Sequence, residues 1–354
     1  MRILGRHVSI TVFGAMFGVL FLLLGLDLVF SFIGELEDLK GHYQAPQALL
    51  YVLLELPWRL SDITPVASLV GAIVGLGMLA NQSELTVMRA AGVGIGRIVW
   101  WAIRPALLMV AMAMLVAQFA VPYCEAIAET GKSRALGESY QPGLLRGFWQ
   151  KEGGDFVHVR TVYPDGRLEG VSFFQVLPDG TLSGYRQAAT GHHVDGGWRL
   201  DQVENLSIKP GGPAGLGRMD AVRWETGLTP GFLRLVTVSP EYLSMTSLYH
   251  YAGYLDAQGL VSRIYYLEFW KKVLSLPATL SMVLIACSFI FGPLRSVTMG
   301  LRIIAGVMAG LGFRYLQDFF GYASLVYHFS PLLAAALPVG FCLAAGAYAL
   351  SRIR

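Results

Sequence analysis

Several groups of residues in this chain have types and spacings that invite a chemical reading. Gly131-Lys132-Ser133 has the form of the end of a phosphate-binding loop, in which backbone amides and a lysine cradle phosphates. That loop needs a glycine five positions earlier, where Ala126 stands, and a strand before it, where an apolar run stands instead. Gly92-Val93-Gly94-Ile95-Gly96 follows a helical run and lacks the final spacing of a dinucleotide fingerprint. His192-His193 suggests a metal, but adjacent residues of a strand point to opposite faces and make poor co-ligands. Cys287 and Cys342 lie in apolar runs, where packing is the default role. Cys124 has no evident partner in the sequence. Asp27 and Asp318 lie within apolar runs, and an intramembrane enzyme using them as acid and base would need both on one cavity. No Ser-His-Asp or paired-carboxylate spacing stands out. Neither a catalytic residue nor a metal ligand is expected.

Apolar run length decides what carries these residues. Of 354 residues, 54 % are apolar and 14 % charged, whereas a soluble domain is about a quarter charged. A net charge of +3 with that apolar fraction excludes a disordered, collagenous or nucleic-acid-wrapping chain. Three cysteines exclude a disulfide scaffold. A spanning helix needs about 20 apolar residues. Six runs qualify: Val8 to Ile33, Ile63 to Ala80, Ile98 to Val121, Val273 to Phe291, Ile303 to Tyr327 and Pro331 to Leu350. The first exceeds the roughly 7–15 apolar residues of a signal peptide and is expected to be retained. Loops rich in Lys and Arg face the cytoplasm, so both termini are placed inside with Arg2, Arg6, Arg89, Arg97, Arg295, Arg302, Arg352 and Arg354. Lys40, Arg59, Lys132, Arg134, Lys271 and Lys272 then fall outside.

From Glu138 to Val238 the texture changes. Asp155 to Arg160, Trp198 to Leu200 and Leu206 to Ile208 alternate apolar and polar, as half-buried strands do. Pro164-Asp165-Gly166, Pro178-Asp179-Gly180 and Asp195-Gly196-Gly197 supply turns, and Pro210 to Gly217 reads as a loop. The expectation is a polytopic α-helical membrane protein with six spans and an inserted all-β domain, jelly-roll-like and outside the membrane. Its parts are residues 1–137 with three spans, 138–245 with the sheet, and 246–354 with a connecting helix and three spans. Tyr265, Tyr266, Phe269 and Trp270 form an aromatic collar before the fourth span.

Charges inside spans need partners. Arg314 and Asp318 are four apart and can pair along one helix face, while Arg104 can snorkel. Gly71 with Gly75 and Gly306 with Gly310 have the G-x-x-x-G spacing that permits close helix contact, without identifying a partner. The loop Asn81 to Gly92 reads as a short helix capped by Asn81 or Ser83 and ended by Gly92, with Leu85 and Met88 on one face. Such a helix suits either a surface connector or a docking element for a cytosolic partner.

Gln82-Ser83-Glu84-Leu85-Thr86-Val87-Met88-Arg89-Ala90-Ala91-Gly92, after Gly75-Leu76-Gly77-Met78-Leu79-Ala80, resembles the coupling-helix signature of the lipopolysaccharide export permeases, the LptF/LptG family. Ser288-Phe289-Ile290-Phe291-Gly292-Pro293-Leu294-Arg295-Ser296-Val297 resembles a second signature of that family, and both segments look closer to its LptG branch. The resemblance implies a permease subunit in the inner membrane of a Gram-negative bacterium, paired with LptF and extracting lipopolysaccharide. A separate LptB dimer would bind ATP and Mg, this chain itself holding no cofactor. LptC and LptA would continue a periplasmic β-jelly-roll bridge. Glu84, Leu85, Met88 and Arg89 would then face the ATPase, and Lys40, Lys132 and Arg134 the lipid head group. Where the family's first span can end in a basic cluster, Lys40 here stands alone after Glu35, Glu37 and Asp38. A non-transporting scaffold is the remaining alternative.

Overall fold

The computed structural model describes residues 2–40, 42–136, 148–152, 155–163, 167–177, 181–194, 197–207, 215–226, 238–257, 261–292 and 297–353. The chain divides into two compact units, Met1–Leu39 with Ala48–Ala128 and Arg263–Arg354, and Lys40–Gln47 with Glu129–Ser262. The breaks expected at 137/138 and 245/246 both fall inside the second unit's long segment.

Helices build the first unit because its apolar runs leave no other way to satisfy backbone groups in a hydrocarbon layer. In chain order they are α1 (Arg2–Glu35), α2 (Ala45–Asn81), α3 (Glu84–Ala90) and α4 (Ile95–Leu115). α4 runs through a π turn, Val116–Ala120, into α5 (Val121–Leu136). α6 (Met245–Ala257) belongs to the second unit, and α7 (Arg263–Val273), α8 (Ser275–Phe291), α9 (Met299–Tyr327) and α10 (Pro331–Ser351) return to the first. Among the described residues, five helical stretches are long and apolar enough to cross a membrane. α7 and α8, bent by 50° at their junction, qualify together as one more.

The second span departs from its expected start. α2 begins at Ala45 and carries Pro57 and Pro65 inside it. Arg59, expected in a loop, is therefore a residue of a spanning helix. Each proline deletes one backbone hydrogen bond. In the same turns, Thr64 Oγ1 donates to the Leu60 carbonyl at 2.6 Å, and Ser61 Oγ lies 3.1 and 3.0 Å from the carbonyls of Pro57 and Ala113.

α2 is the central pillar: most of its apolar stretch is buried, whereas most of that of α1 and of α9 is not. Both G-x-x-x-G pairs find their partners here. A Cβ on Gly71 would land on the Met16 backbone, and one on Gly75 would sit 2.8 Å from Val12 Cα, so α1 packs backbone-close on α2. Gly306 and Gly310 of α9 face Ile73 and Val66 of α2, where an added Cβ would lie 2.6 and 2.9 Å from their side chains. Around this pillar Val12, Met16, Ile73, Leu76 and Ile98 are fully buried in one core.

In the second unit, β1 (Phe148–Glu152), β2 (Asp155–Val162), β3 (Leu168–Val176), β4 (Leu182–Val194), β5 (Gly197–Ser207) and β6 (Gly215–Trp224) form one antiparallel sheet in sequence order. Its described strands thus make a meander, with no Greek-key crossover of the kind two-sheet jelly rolls use. The expected alternation holds in β2 and at the start of β5, where Val157, Val159, Trp198 and Leu200 are buried. Phe173 meets Trp224 edge-to-face at 5.1 Å on the same side. His193 packs against Trp198 at 5.3 Å, the separate role that adjacent strand positions dictate. The Pro164-Asp165-Gly166 and Pro178-Asp179-Gly180 turns, Asp195-Gly196 and the Pro210 to Ala214 part of the loop lie outside the described residues. α6 occupies the place of the expected connecting helix, with Ser244 Oγ accepting from the Ser247 amide at 3.1 Å as its cap.

Candidate functional site

The short helix between two spans is the best-defined candidate. α3 is seven residues long, and its ends differ from the sequence expectation at one side only. Gly92, at φ +85°, closes it: the Gly92 amide donates to the Arg89 carbonyl and the Val93 amide to that of Met88, each at 3.0 Å. This is a Schellman closure, completed by burial of Met88 and Val93. At the start, Ser83 adopts a left-handed conformation at φ 59° and makes no side-chain cap. Asn81 is not a cap either, because its Oδ1 accepts from Arg302 Nη1 at 3.2 Å.

Leu85 and Met88 do share one face, as their spacing requires, but that face turns inward. Both are buried in the core that α1, α2 and α4 build. They are therefore not the outward residues of the helix in this structure. Its outward face carries Thr86, Val87 and Ala90, with Val87 65 % exposed. Glu84 and Arg89 sit at the rim, half-buried. Glu84 Oε2 lies 2.8 Å from His7 Nε2, which ties α3 to the first turns of α1. Sequence reasoning missed His7 and the buried Arg302, because neither is near α3 in the chain. Of the second signature, Pro293 to Ser296 lie outside the described residues.

The basic residues expected to meet a head group are partly assembled in the second unit. Lys40 pairs with Tyr43 in an isolated antiparallel bridge, the Tyr43 amide donating to the Lys40 carbonyl at 2.9 Å. Lys132 Nζ stands 5.6 Å from the centre of the Tyr43 ring, a cation–π contact. Tyr43 thus links both lysines. Lys40 is exposed, whereas Lys132 is only 7 % exposed. Arg134 lies on α5, and its side chain is outside the described residues.

Among the described residues, Arg59, Arg314 and Arg104 inside the helices each find a partner. Arg59 Nη1 donates to Asp27 at 2.5 Å and to Ser31 Oγ at 2.6 Å, while Nη2 donates to Glu55 at 2.5 Å. Arg314 donates to Asp62 of α2, not to Asp318 one turn along its own helix. The pairing expected from i, i+4 spacing is thus replaced by one between helices. An enzyme that used Asp27 as a free acid or base would have to break the Arg59 bridge first. Arg104 lies over Trp100 at 5.7 Å, one turn nearer the start of α4. The exposed side of α1 carries a shallow apolar groove lined by Phe21, Leu22, Gly25, Leu26, Val29 and Phe30.

Residues 6–352 match the family described as lipopolysaccharide export system permease LptF/LptG. The chain is 33 % identical over 342 residues to the lipopolysaccharide export system permease protein LptG of Escherichia coli (strain K12), covering 95 % of this chain and 94 % of that protein. It is 32 % identical over 338 residues to the protein of the same name from Haemophilus influenzae, with the same coverage.

Proposed function

The chain belongs to the lipopolysaccharide export system permease family LptF/LptG, and we propose that this inner-membrane transport subunit lifts lipopolysaccharide out of the bilayer when a separate ATPase pushes on α3. The observation that carries the proposal is the seating of α3. A short helix locked by its Schellman closure, by Leu85 and Met88 in the core and by the Glu84–His7 bridge passes a push to α1 and α2 without absorbing it. Thr86, Val87 and Ala90, rimmed by Glu84 and Arg89, form the face offered to the ATPase, while Leu85 and Met88 act from inside.

In this reading α7 and α8 are one bent span, giving six, and both termini lie in the cytoplasm with α3. The sheet lies in the periplasm as a jelly-roll-like trough that hands lipid to LptC and LptA. An LptF subunit closes the cavity on the other side, and an LptB dimer supplies ATP and Mg chemistry. The apolar groove on α1 receives acyl chains. Lys40, Lys132 and Arg134 draw in the phosphates, each basic residue near a membrane surface contributing about 1 kcal/mol. Closure then collapses the cavity, a two-state change of the hinge or shear kind.

The test uses the full chain in its own membranes, with a photocrosslinker at Val87 and another at the exposed Leu36, four residues before Lys40. The expected products are a P-loop ATPase at the first position and lipopolysaccharide at the second, the lipid product falling in the Lys40→Gln/Lys132→Gln/Arg134→Gln variant. Lipid capture without any ATPase product at Val87 would overturn the coupling role of α3. An undiminished lipid product in the triple variant would overturn the head-group assignment.

A further inference from the structure

α2 makes two antiparallel seams, one with α1 and one with α9, and both are built alike. Toward the α3 end the contacts are glycine-close: Gly75 on Val12 and Gly71 on Met16 in one seam, Gly306 on Ile73 and Gly310 on Val66 in the other. Farther from α3, along the same two registers, the meeting residues are charged. Asp27 meets Arg59 and Arg314 meets Asp62. Close glycine packing loses its backbone contact as soon as the helices part, whereas a long arginine side chain can follow its partner over a range of helix separations. Pro57 and Pro65 bracket Arg59 and Asp62 on α2 and weaken its backbone ladder there.

Each arginine also has a second carboxylate on its own helix. Arg59 already holds Glu55, four residues back, at 2.5 Å, and its buried Nε has no hydrogen-bond partner. Arg314 has Asp318 four residues on, the spacing that pairs along one helix face. Releasing the neighbour would therefore leave neither arginine without a carboxylate. We infer that Arg59 and Arg314 are releasable latches: Arg59 lets go of Asp27 while keeping Glu55, and Arg314 trades Asp62 for Asp318, so that α1 and α9 swing from α2 about their glycine contacts. They are positioning residues for transport, acting through the helices they hold. The use of the swing rests on the transport reading, but its test does not, because it reads distances and requires no ATPase.

Spin labels are placed in the full chain carrying Cys124→Ser. Far-end pairs are Leu53 with Ile33 and Leu53 with Tyr322, and α3-end pairs are Met78 with Ile10 and Met78 with Ile304; all of these positions are exposed. Tyr322 lies twelve residues beyond Gly310, a lever of about 18 Å, so a swing of about 15° moves it about 5 Å. Asp27→Asn with Asp62→Asn removes the partners across the seams and should lengthen the far-end distances by about that amount, leaving the α3-end distances unchanged. Glu55→Gln with Asp318→Asn removes the fallback partners and should narrow the far-end distributions toward the short value. Opposite responses are what a merely structural ion pair would not produce. Far-end distances that stay put in both variants, that move the same way in both, or that move together with the α3-end distances would overturn the inference.

Discussion

The glycine contacts of α2 allow a sharp test of how the bundle holds together. In Gly75→Ala the new Cβ would lie 2.8 Å from Val12 Cα, against an optimum of roughly 3.5–4.0 Å between carbons. The obstacle is backbone, so no rotamer change relieves it, and α1 must move outward by nearly 1 Å. Overpacking of this kind costs about 1–3 kcal/mol. Alanine returns about 0.5–1 kcal/mol through its better helix propensity. The control is Gly14→Ala on α1, where an added Cβ meets nothing within 4 Å. There only the propensity gain remains. The two variants should therefore differ by about 2 kcal/mol in unfolding free energy, close to a 30-fold change in the folded-to-unfolded ratio. Unfolding of the full chain in mixed micelles, followed by circular dichroism as denaturing detergent is added, measures it. Equal midpoints for Gly75→Ala and Gly14→Ala would refute the idea that α1 and α2 touch backbone to backbone.

Two further outcomes follow from named side chains. Leu85→Ala should cost about 2–5 kcal/mol of stability because it empties a core site, whereas Val87→Asp should stay within about 0.5 kcal/mol and lose ATPase capture; the same unfolding assay paired with co-purification separates them, and equal stability losses would contradict the inward face of α3. His158 of β2 is held below its usual pKa of 6.5, first by burial and then by Arg160, so the unfolded chain binds the proton more readily. Its contribution to sheet stability is complete above about pH 6.5 and is lost as pH falls through the depressed folded value. Amide exchange in β2 should therefore quicken on acidification, and an unchanged pH profile in His158→Gln would count against the assignment.

How much of this was legible in the sequence depends on the distance over which each decision is made. Apolar runs locate the spans well because burial in lipid is decided residue by residue. The length of α2 is not legible that way: Pro57 and Arg59, ahead of the expected start at Ile63, look like loop residues until Asp27, Glu55 and Ser61 supply the partners that keep them helical. Leu85 and Met88 are correctly placed on one face, yet which way that face turns is set by α1, α2 and α4. Arg314 and Asp318 have the right spacing to pair, but Asp62, over 250 positions away, takes the arginine. Alternation marks β2 and β5, since period two is local, while the order of strands in the sheet is a property of the whole. Lys40 and Lys132 stand out by their charge, and the tyrosine that joins them does not, because it lies just before the start of a different helix.

The π turn at Val116–Ala120 bears on how inherited changes in this chain should be read. One wide turn adds a residue without adding a turn, so everything downstream is rotated by about 100° relative to an unbroken helix. The side of α5 that carries Lys132 is set by that extra residue as much as by Lys132 itself. A single-codon deletion between residues 116 and 120 would remove the extra residue together with the wide turn and leave Lys132 on the same side, whereas one between Val121 and Gly131, with no wide turn to absorb it, would turn Lys132 by about 100° away from Tyr43. In a gene of this family two deletions of equal length a few codons apart would therefore differ in whether they displace the basic site.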